Sequence, residues 1–369
     1  MKVSVLIPYY NDREFLPQAI ESVLNQTFED FELILVNHAT TDDCREIAHS
    51  YTDSRIVHID MDKNYGAGTG LIMEAFLDKA QGEYIKLFCA DDVMKPDCLK
   101  ILVEYMETHP QKDFAFGDIE HIDKEGKSLN DTWFNNRKHF NINNDEVECL
   151  KLFFQGIGFL PYIGSIIKKD VLHSIEIDKS FISLFDMSLW VSILLKGYKI
   201  GYLTDIVANY RIHDTQMSSI KNTTKIELCS FFELTKYMEI FYKTDNYKLL
   251  KQVFSNNPYL NKIKNITDED MKFIVCYEIM FNNIQICHIF GYNRLYDMLQ
   301  NKEKRKYLEE KFNFGIKEFR DIYTTISFEK PFKHNTFSTK FLLYMLLKKI
   351  INFVCTKKLR KNSNKQATL

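Results

Sequence analysis

The sequence predicts an α/β fold: a mostly parallel sheet flanked by helices, followed by a helical C-terminal region. Three observations predict it. Short apolar, β-branched runs recur between residues 3 and 88. A stretch with helical spacing follows each of them. Beyond residue 216 glycine becomes scarce and long amphipathic stretches take over. Strands alternating with helices are the pattern of a parallel sheet covered on both faces.

Taken in order, Val3–Ile7 is short, apolar and closed by Pro8, as a buried strand is. Glu14–Gln26 places Phe15, Leu16, Ala19, Ile20, Val23 and Leu24 on one helical face. Phe31–Val36 is a second buried strand, and Thr41-Asp-Asp opens a helix running to Ser50. Arg55–Ile59 is a third strand, followed by a glycine-rich turn and a helix within Gly66–Ala80. Tyr84–Phe88 is a fourth strand, and Pro96 falls in the first turn of a helix to Glu107. Asp113–Asn144 is less regular, and Ile157–Asp170 and Ile175–Asn209 return to mixed patterns. Glu227–Lys243 and Asp268–Ile289 read as amphipathic helices. The expected division is an α/β domain over 1–218, a helical region over 219–329 and a basic amphipathic tail over 330–369.

The chain has 369 residues with 48 basic and 50 acidic side chains. The charge is unevenly spread: residues 330–369 hold ten Lys or Arg and no acid, so the remainder carries 38 basic against 50 acidic residues. A basic tail on an acidic body points to an anionic partner for the tail. Eight cysteines are scattered without a CxxC pair or zinc spacing, which fits a reducing cytoplasm. No apolar run reaches the roughly 20 residues that span a bilayer, and no secretory leader is evident.

The segment Lys86-Leu-Phe-Cys-Ala-Asp-Asp-Val-Met-Lys-Pro96 ends a strand on two adjacent acids. In parallel sheets ligands bind beyond the carboxyl ends of strands. Adjacent acids there suit a hard divalent cation or sugar hydroxyls, while an N-cap for the next helix is the plain alternative. Asp91 is the better ligand candidate, being nearer the strand exit, and Asp92 the turn or cap. The turn Asn64-Tyr-Gly-Ala-Gly-Thr-Gly70 is spaced GxGxG and follows the third strand, so it is not a dinucleotide fingerprint. No GxxxxGK[ST] occurs, which excludes a P-loop.

Several blocks together resemble the inverting family 2 glycosyltransferases of bacterial surface-polysaccharide type. They are Val3-Ser-Val-Leu-Ile-Pro-Tyr-Tyr-Asn11, Ile20-Glu-Ser-Val-Leu-Asn-Gln-Thr-Phe28, Gly82-Glu-Tyr-Ile85, Ala90-Asp-Asp-Val-Met-Lys-Pro96, Leu189-Trp190 and Tyr210-Arg-Ile-His213. The resemblance covers roughly residues 1–218. It implies a GT-A, Rossmann-like fold, a nucleotide-sugar donor with a UDP-sugar favoured, and Mn2+ or Mg2+. It assigns Pro8, Tyr10, Asn11, Asn37, His38, Asn64, Ala90, Asp91 and His213 to the donor, with Asp91 also the metal ligand. It makes Asp186 the general base that takes the acceptor's proton. Three departures stand out: Cys89 replaces the first acid of the DxD motif, Phe185 replaces the Glu of the ED motif, and Asn37-His38 replace two aspartates.

The implied reaction is hexosyl transfer with inversion to a hydroxyl of a glycan or lipid-linked acceptor, as in capsule or lipopolysaccharide assembly. The expected location is cytoplasmic, peripheral on the inner membrane face through the tail, where Phe341–Leu347 precedes Lys357-Lys-Leu-Arg-Lys361. Nucleic acid is not an expected partner, and the oligomeric state is left open. The departures also support a second reading, a GT-A-like binding or scaffold protein without catalysis. A nucleotidyltransferase shares strand-end acids but needs a glycine- and arginine-rich N-terminal loop that is absent here.

Overall fold

The computed structural model describes residues 1–66, 70–136, 141–216, 223–260 and 263–328. The basic tail expected over 330–369 lies outside them. The elements are β1 (Val3–Tyr9), α1 (Leu16–Leu24), β2 (Phe31–Asn37), α2 (Cys44–Ser50), β3 (Ile56–Asp60), α3 (Gly70–Leu77), β4 (Tyr84–Leu87), β5 (Val93–Met94), α4 (Cys98–Thr108), β6 (Phe114–Ile122), β7 (Ser128–Thr132), α5 (Trp133–Asn136), α6 (Glu146–Phe154), a 3-10 turn (Tyr162–Gly164), β8 (Ser165–Lys168), α7 (Lys169–Ser174), α8 (Phe185–Leu195) and β9 (Ile200–Arg211). Five further helices complete the description: α9 (Thr223–Lys243), α10 (Tyr247–Val253), α11 (Asp268–Met280), α12 (Gln285–Gln300) and α13 (Lys302–Phe312), with α14 (Ile316–Phe328) beginning a second unit.

The nine strands form one sheet, ordered β3-β2-β1-β4-β8-β6-β9-β5, with β7 on β6. The first four strands are parallel, as the alternating pattern requires. The second half is mixed, because β8 runs antiparallel to both β4 and β6 while β9 runs parallel to β6. All seven residues of β2 are buried, and β1 is sealed at Val3, Val5, Leu6 and Ile7.

Pro8 sits inside β1 without disrupting it. The Leu6 carbonyl accepts from Phe88 of the β4 side and the Tyr9 carbonyl from His38 of the β2 side. Alternation therefore turns residue 8 toward β4, whose pairing has already ended at Leu6–Leu87. The missing N–H of proline costs no ladder bond there. Gly82 is required by close approach: a Cβ would meet the Ser4 nitrogen at 2.4 Å.

Met1–Asn313 forms one compact unit. The change of character near residues 218–224 falls between β9 and α9 within it, and α9 packs on α8 and α12 while α10 packs on α6. Among the described residues no helix is long and apolar enough to cross a membrane.

Candidate active site

Four chain segments meet at the carboxyl ends of β1, β2, β4 and β9. Two of them need unusual backbone: Asn11 has φ 58° and Ala39 φ 53°. Asparagine tolerates this left-handed conformation; alanine pays strain for it. The Asn11 side-chain oxygen accepts from the Thr41 amide (3.0 Å) and from the Thr40 and Thr41 hydroxyls (3.0 and 3.1 Å). The Asn11 amide in turn donates to Thr40 Oγ1 at 2.9 Å. The two loops are thereby tied together.

At the β4 exit, ligand atoms of Cys89, Asp91 and Asp92 lie within 4.8 Å of one another. Asp91 keeps a quarter of its side chain exposed, and its Oδ2 lies 3.1 Å from His213 Nε2. The other ring nitrogen of His213 meets the Thr215 hydroxyl at 2.8 Å, and Phe15 packs on the ring at 4.6 Å. Asp92 is buried; the Arg211 amide donates to its Oδ1 at 2.8 Å, and among the described residues its Oδ2 has no partner. Burial, then the neighbouring Asp91, pushes the Asp92 carboxyl well above its ordinary pKa. Of the two roles read for Asp92, turn or cap, the helix cap is excluded, and the residue directly follows the turn at 90–91. β5 intervenes and pairs with β9, and the residue preceding α4 is Asp97.

Arg211 braces this turn from the far end of β9. Its Nε donates to the Asp91 carbonyl (2.9 Å), one terminal nitrogen to the Lys124 carbonyl (2.6 Å) and the other to Gln18 Oε1 (2.5 Å). The guanidinium also lies 5.0 Å from the centre of the Phe15 ring.

Asp12 is a site acid the sequence reading missed. Burial pushes its carboxyl up to about 6, with Asp91 and Asp42 adding to the shift and the Tyr10 amide opposing it. Its position directly after Tyr10-Asn11 was the available signal.

The donor set from the sequence is partly gathered here. Pro8 and Tyr10 lie at the β1 end, and Ala90 and Asp91 at the β4 exit. Asn37 is buried and both ends of its amide are engaged, Nδ2 with Asp60 Oδ1 (2.8 Å) and Oδ1 with the Thr40 amide (2.9 Å). His38 is buried between two tyrosines that stay about two-fifths exposed: Tyr65 parallel at 6.3 Å and Tyr10 edge-on at 6.4 Å. Asn64 caps its own turn, accepting from the Gly66 amide at 2.7 Å.

Asp186 occupies the first turn of α8, and its Oδ1 accepts from the Met187 amide at 2.8 Å. The hydroxyl of Tyr162 is sealed from solvent without a hydrogen-bond partner, and burial pushes it well up, with Cys89 and Asp186 adding to the effect. A separate cavity of about 430 Å³ opens beside α8 and α9, lined among others by Phe185, Ser188, Lys236 and Glu239. None of the acids named above lines it.

The residues fit a hard divalent cation. Asp91 offers a carboxylate toward solvent and Asp92 Oδ2 is a buried oxygen without a partner. Cys89, whose thiol burial pushes far up, is the poorest of the three ligands for such an ion.

Residues 4–175 match the family model Glycosyl transferase family 2. The matched segment has the GT-A fold. It is 28% identical over 267 residues to an uncharacterized glycosyltransferase of Methanocaldococcus jannaschii, covering 71% of this chain and 84% of that one. It is 28% identical over 232 residues to the UDP-Glc:α-D-GlcNAc-diphosphoundecaprenol β-1,3-glucosyltransferase of Escherichia coli, covering 59% and 80%. Among solved structures, S. aureus TarS 1–349 in complex with UDP superposes with a TM-score of 0.55 at 14% identity, covering 92% of this chain and 95% of that one. The mannosyltransferase PcManGT of Pyrobaculum calidifontis, in complex with GDP-Man and Mn2+, gives 0.50 at 12% identity, covering 89% and 88%. Asp186, Arg211 and His213 all lie beyond the segment that the family model matches.

Proposed function

We propose that the protein is an inverting, metal-dependent glycosyltransferase that moves a sugar from a UDP-sugar to a hydroxyl of a lipid-linked glycan in surface-polysaccharide assembly. The observation that carries this reading is the strand-end cluster in which Cys89, Asp91 and Asp92 converge within 4.8 Å. Asp91 and Asp92 would hold Mn2+ or Mg2+, and a bound cation supplies charge neutralisation for the departing diphosphate. His213 orients the Asp91 carboxylate. Asp186 accepts the proton of the acceptor hydroxyl as its oxygen attacks the anomeric carbon, while the bond to the diphosphate breaks on the opposite face. The lipid-linked acceptor is supported by the E. coli relative, whose name specifies one. The ten basic residues of 330–369 suit an anionic membrane surface on the cytoplasmic side.

The test is a thermal-shift screen of UDP-, GDP-, CMP- and dTDP-sugars with and without Mn2+, followed by transfer assays on the donor that binds. Asp186→Asn should keep the donor-induced shift and lose about 10²- to 10⁴-fold in transfer. Full activity in that variant would remove Asp186 from its role. A second reading, a nucleotide-binding scaffold without catalysis, is favoured by Cys89, whose thiol is not a carboxylate equivalent. Tight nucleotide binding that ignores Mn2+ and yields no turnover would select it.

A further inference from the structure

Three rings meet beside the acid cluster without belonging to it: His121 near the end of β6, Trp133 at the start of α5 and Tyr210 near the end of β9. The Trp133 ring centre lies 5.9 Å from each of the others, and His121 and Tyr210 are 5.8 Å apart. Trp133 packs against the core yet stays partly exposed. Its place is fixed twice. Its Nε1 donates to the Phe159 carbonyl at 2.8 Å, and the following amide, that of Phe134, donates to Oδ1 of buried Asp118 at 3.0 Å. His121 is oriented by Asp131, whose Oδ1 lies 2.7 Å from Nδ1. A carboxylate there keeps a proton on Nδ1, so the neutral ring presents a lone pair at Nε2. Among the described residues Nε2 has no hydrogen-bond partner, and it is not one of the atoms sealed in the interior.

The cluster connects the two halves of the candidate site. On one side the Tyr210 hydroxyl accepts from Gln216 Nε2 at 3.0 Å, and Gln216 Oε1 accepts from the His213 amide at 2.8 Å. His213 in turn meets Asp91. On the other side Phe159 follows Gly158, where a Cβ would come within 3.1 Å of Met187 Sδ, and Met187 follows Asp186.

We propose that Trp133 and His121 form the subsite for the acceptor's terminal sugar. The indole stacks on the C–H face of the pyranose, and His121 Nε2 accepts a hydrogen bond from one of its hydroxyls. A sugar ring suits this pair, because an aromatic face takes polarised C–H groups while a fixed nitrogen beside it selects one hydroxyl. The inference rests on the glycosyltransferase reading and gives its acceptor a place to sit.

The chain has two tryptophans, and Trp190 is only 1% exposed, so acrylamide quenching of indole emission reads Trp133. The probes are the methyl glycosides of glucose, galactose, N-acetylglucosamine and N-acetylgalactosamine. Each is titrated onto the full chain with Mn2+ and whichever of UDP, GDP, CDP or dTDP binds. At least one glycoside should shield the indole from acrylamide. By calorimetry, Trp133→Ala should weaken that glycoside about 10-fold, and Trp133→Phe, which keeps a ring, should recover most of the loss. His121→Ala should weaken it about 3- to 10-fold. Nucleotide affinity should stay at the native value in all three variants, and melting curves verify that each is folded. Shielding by none of the four glycosides, or equal losses of glycoside and nucleotide affinity, overturns the inference. If none of the four nucleotides binds the native protein, it is the glycosyltransferase reading that fails.

Discussion

Asp270 and Asp92 are both buried carboxylates, and the molecule treats them in opposite ways. Asp270, in the first turn of α11, is completely buried. It accepts from the Thr267 amide (2.8 Å), the Tyr307 hydroxyl (2.7 Å) and Lys311 Nζ (2.7 Å). Burial alone would raise its pKa, but these partners outweigh burial and hold the carboxyl below its ordinary value. Asp92 has one bonded oxygen and one without a partner, and its pKa goes far up. A fully satisfied buried acid is architecture. One left half-satisfied carries a cost, and the cation proposed above would offset it by completing the oxygen.

The comparison can be broken at three places, in order of expected effect. Asp91→Asn should reduce sugar transfer by about 10²- to 10³-fold while leaving the melting temperature nearly unchanged. A large loss of stability without a specific loss of rate would class the strand-end acids with Asp270. Asp270→Ala should destabilise the fold by about 3 kcal/mol, because it breaks the ion pair with Lys311 and the capping box with Thr267. Denaturant unfolding measures this, and the rate per folded molecule should not change. The smallest effect concerns Asp12, whose folded pKa of about 6 exceeds the ordinary carboxylate value. The folded state then holds a proton that the unfolded chain has released. Stability is highest below the unfolded pKa, near 4, and declines as pH rises through 6, by about 2 kcal/mol in all. Melting curves from pH 4 to 7 should show the native protein losing ground to Asp12→Asn. Parallel curves would refute the shift.

The parallel half of the fold was legible because β1, β2 and β4 are short apolar runs separated by helical spacing, a pattern that burial on both faces imposes. The direction of β8 was not: Ser165-Ile-Ile-Lys168 reads identically in a parallel or an antiparallel ladder. Asp91 was legible as an acid at a strand exit, and its pairing with His213 emerges only where β9 ends. Asp12 and Arg211 were not, for a common reason. Their chemistry comes from partners far away in sequence: Arg211 holds the Asp91 carbonyl 120 positions upstream. The cap alternative for Asp92 fails because a two-residue strand, β5, separates it from α4.

The Arg211 brace has a consequence for where this enzyme can be cut. The segment that the family model recognises stops at residue 175, yet the strand pairing with β5 and β6, and the guanidinium that grips the Asp91 carbonyl, come from residues 200–211. A minimal fragment ending at 175 would keep the carboxylates and lose what aims them. Any shortened version meant to retain the candidate site must extend through His213, because the chain completes that cluster only on its return.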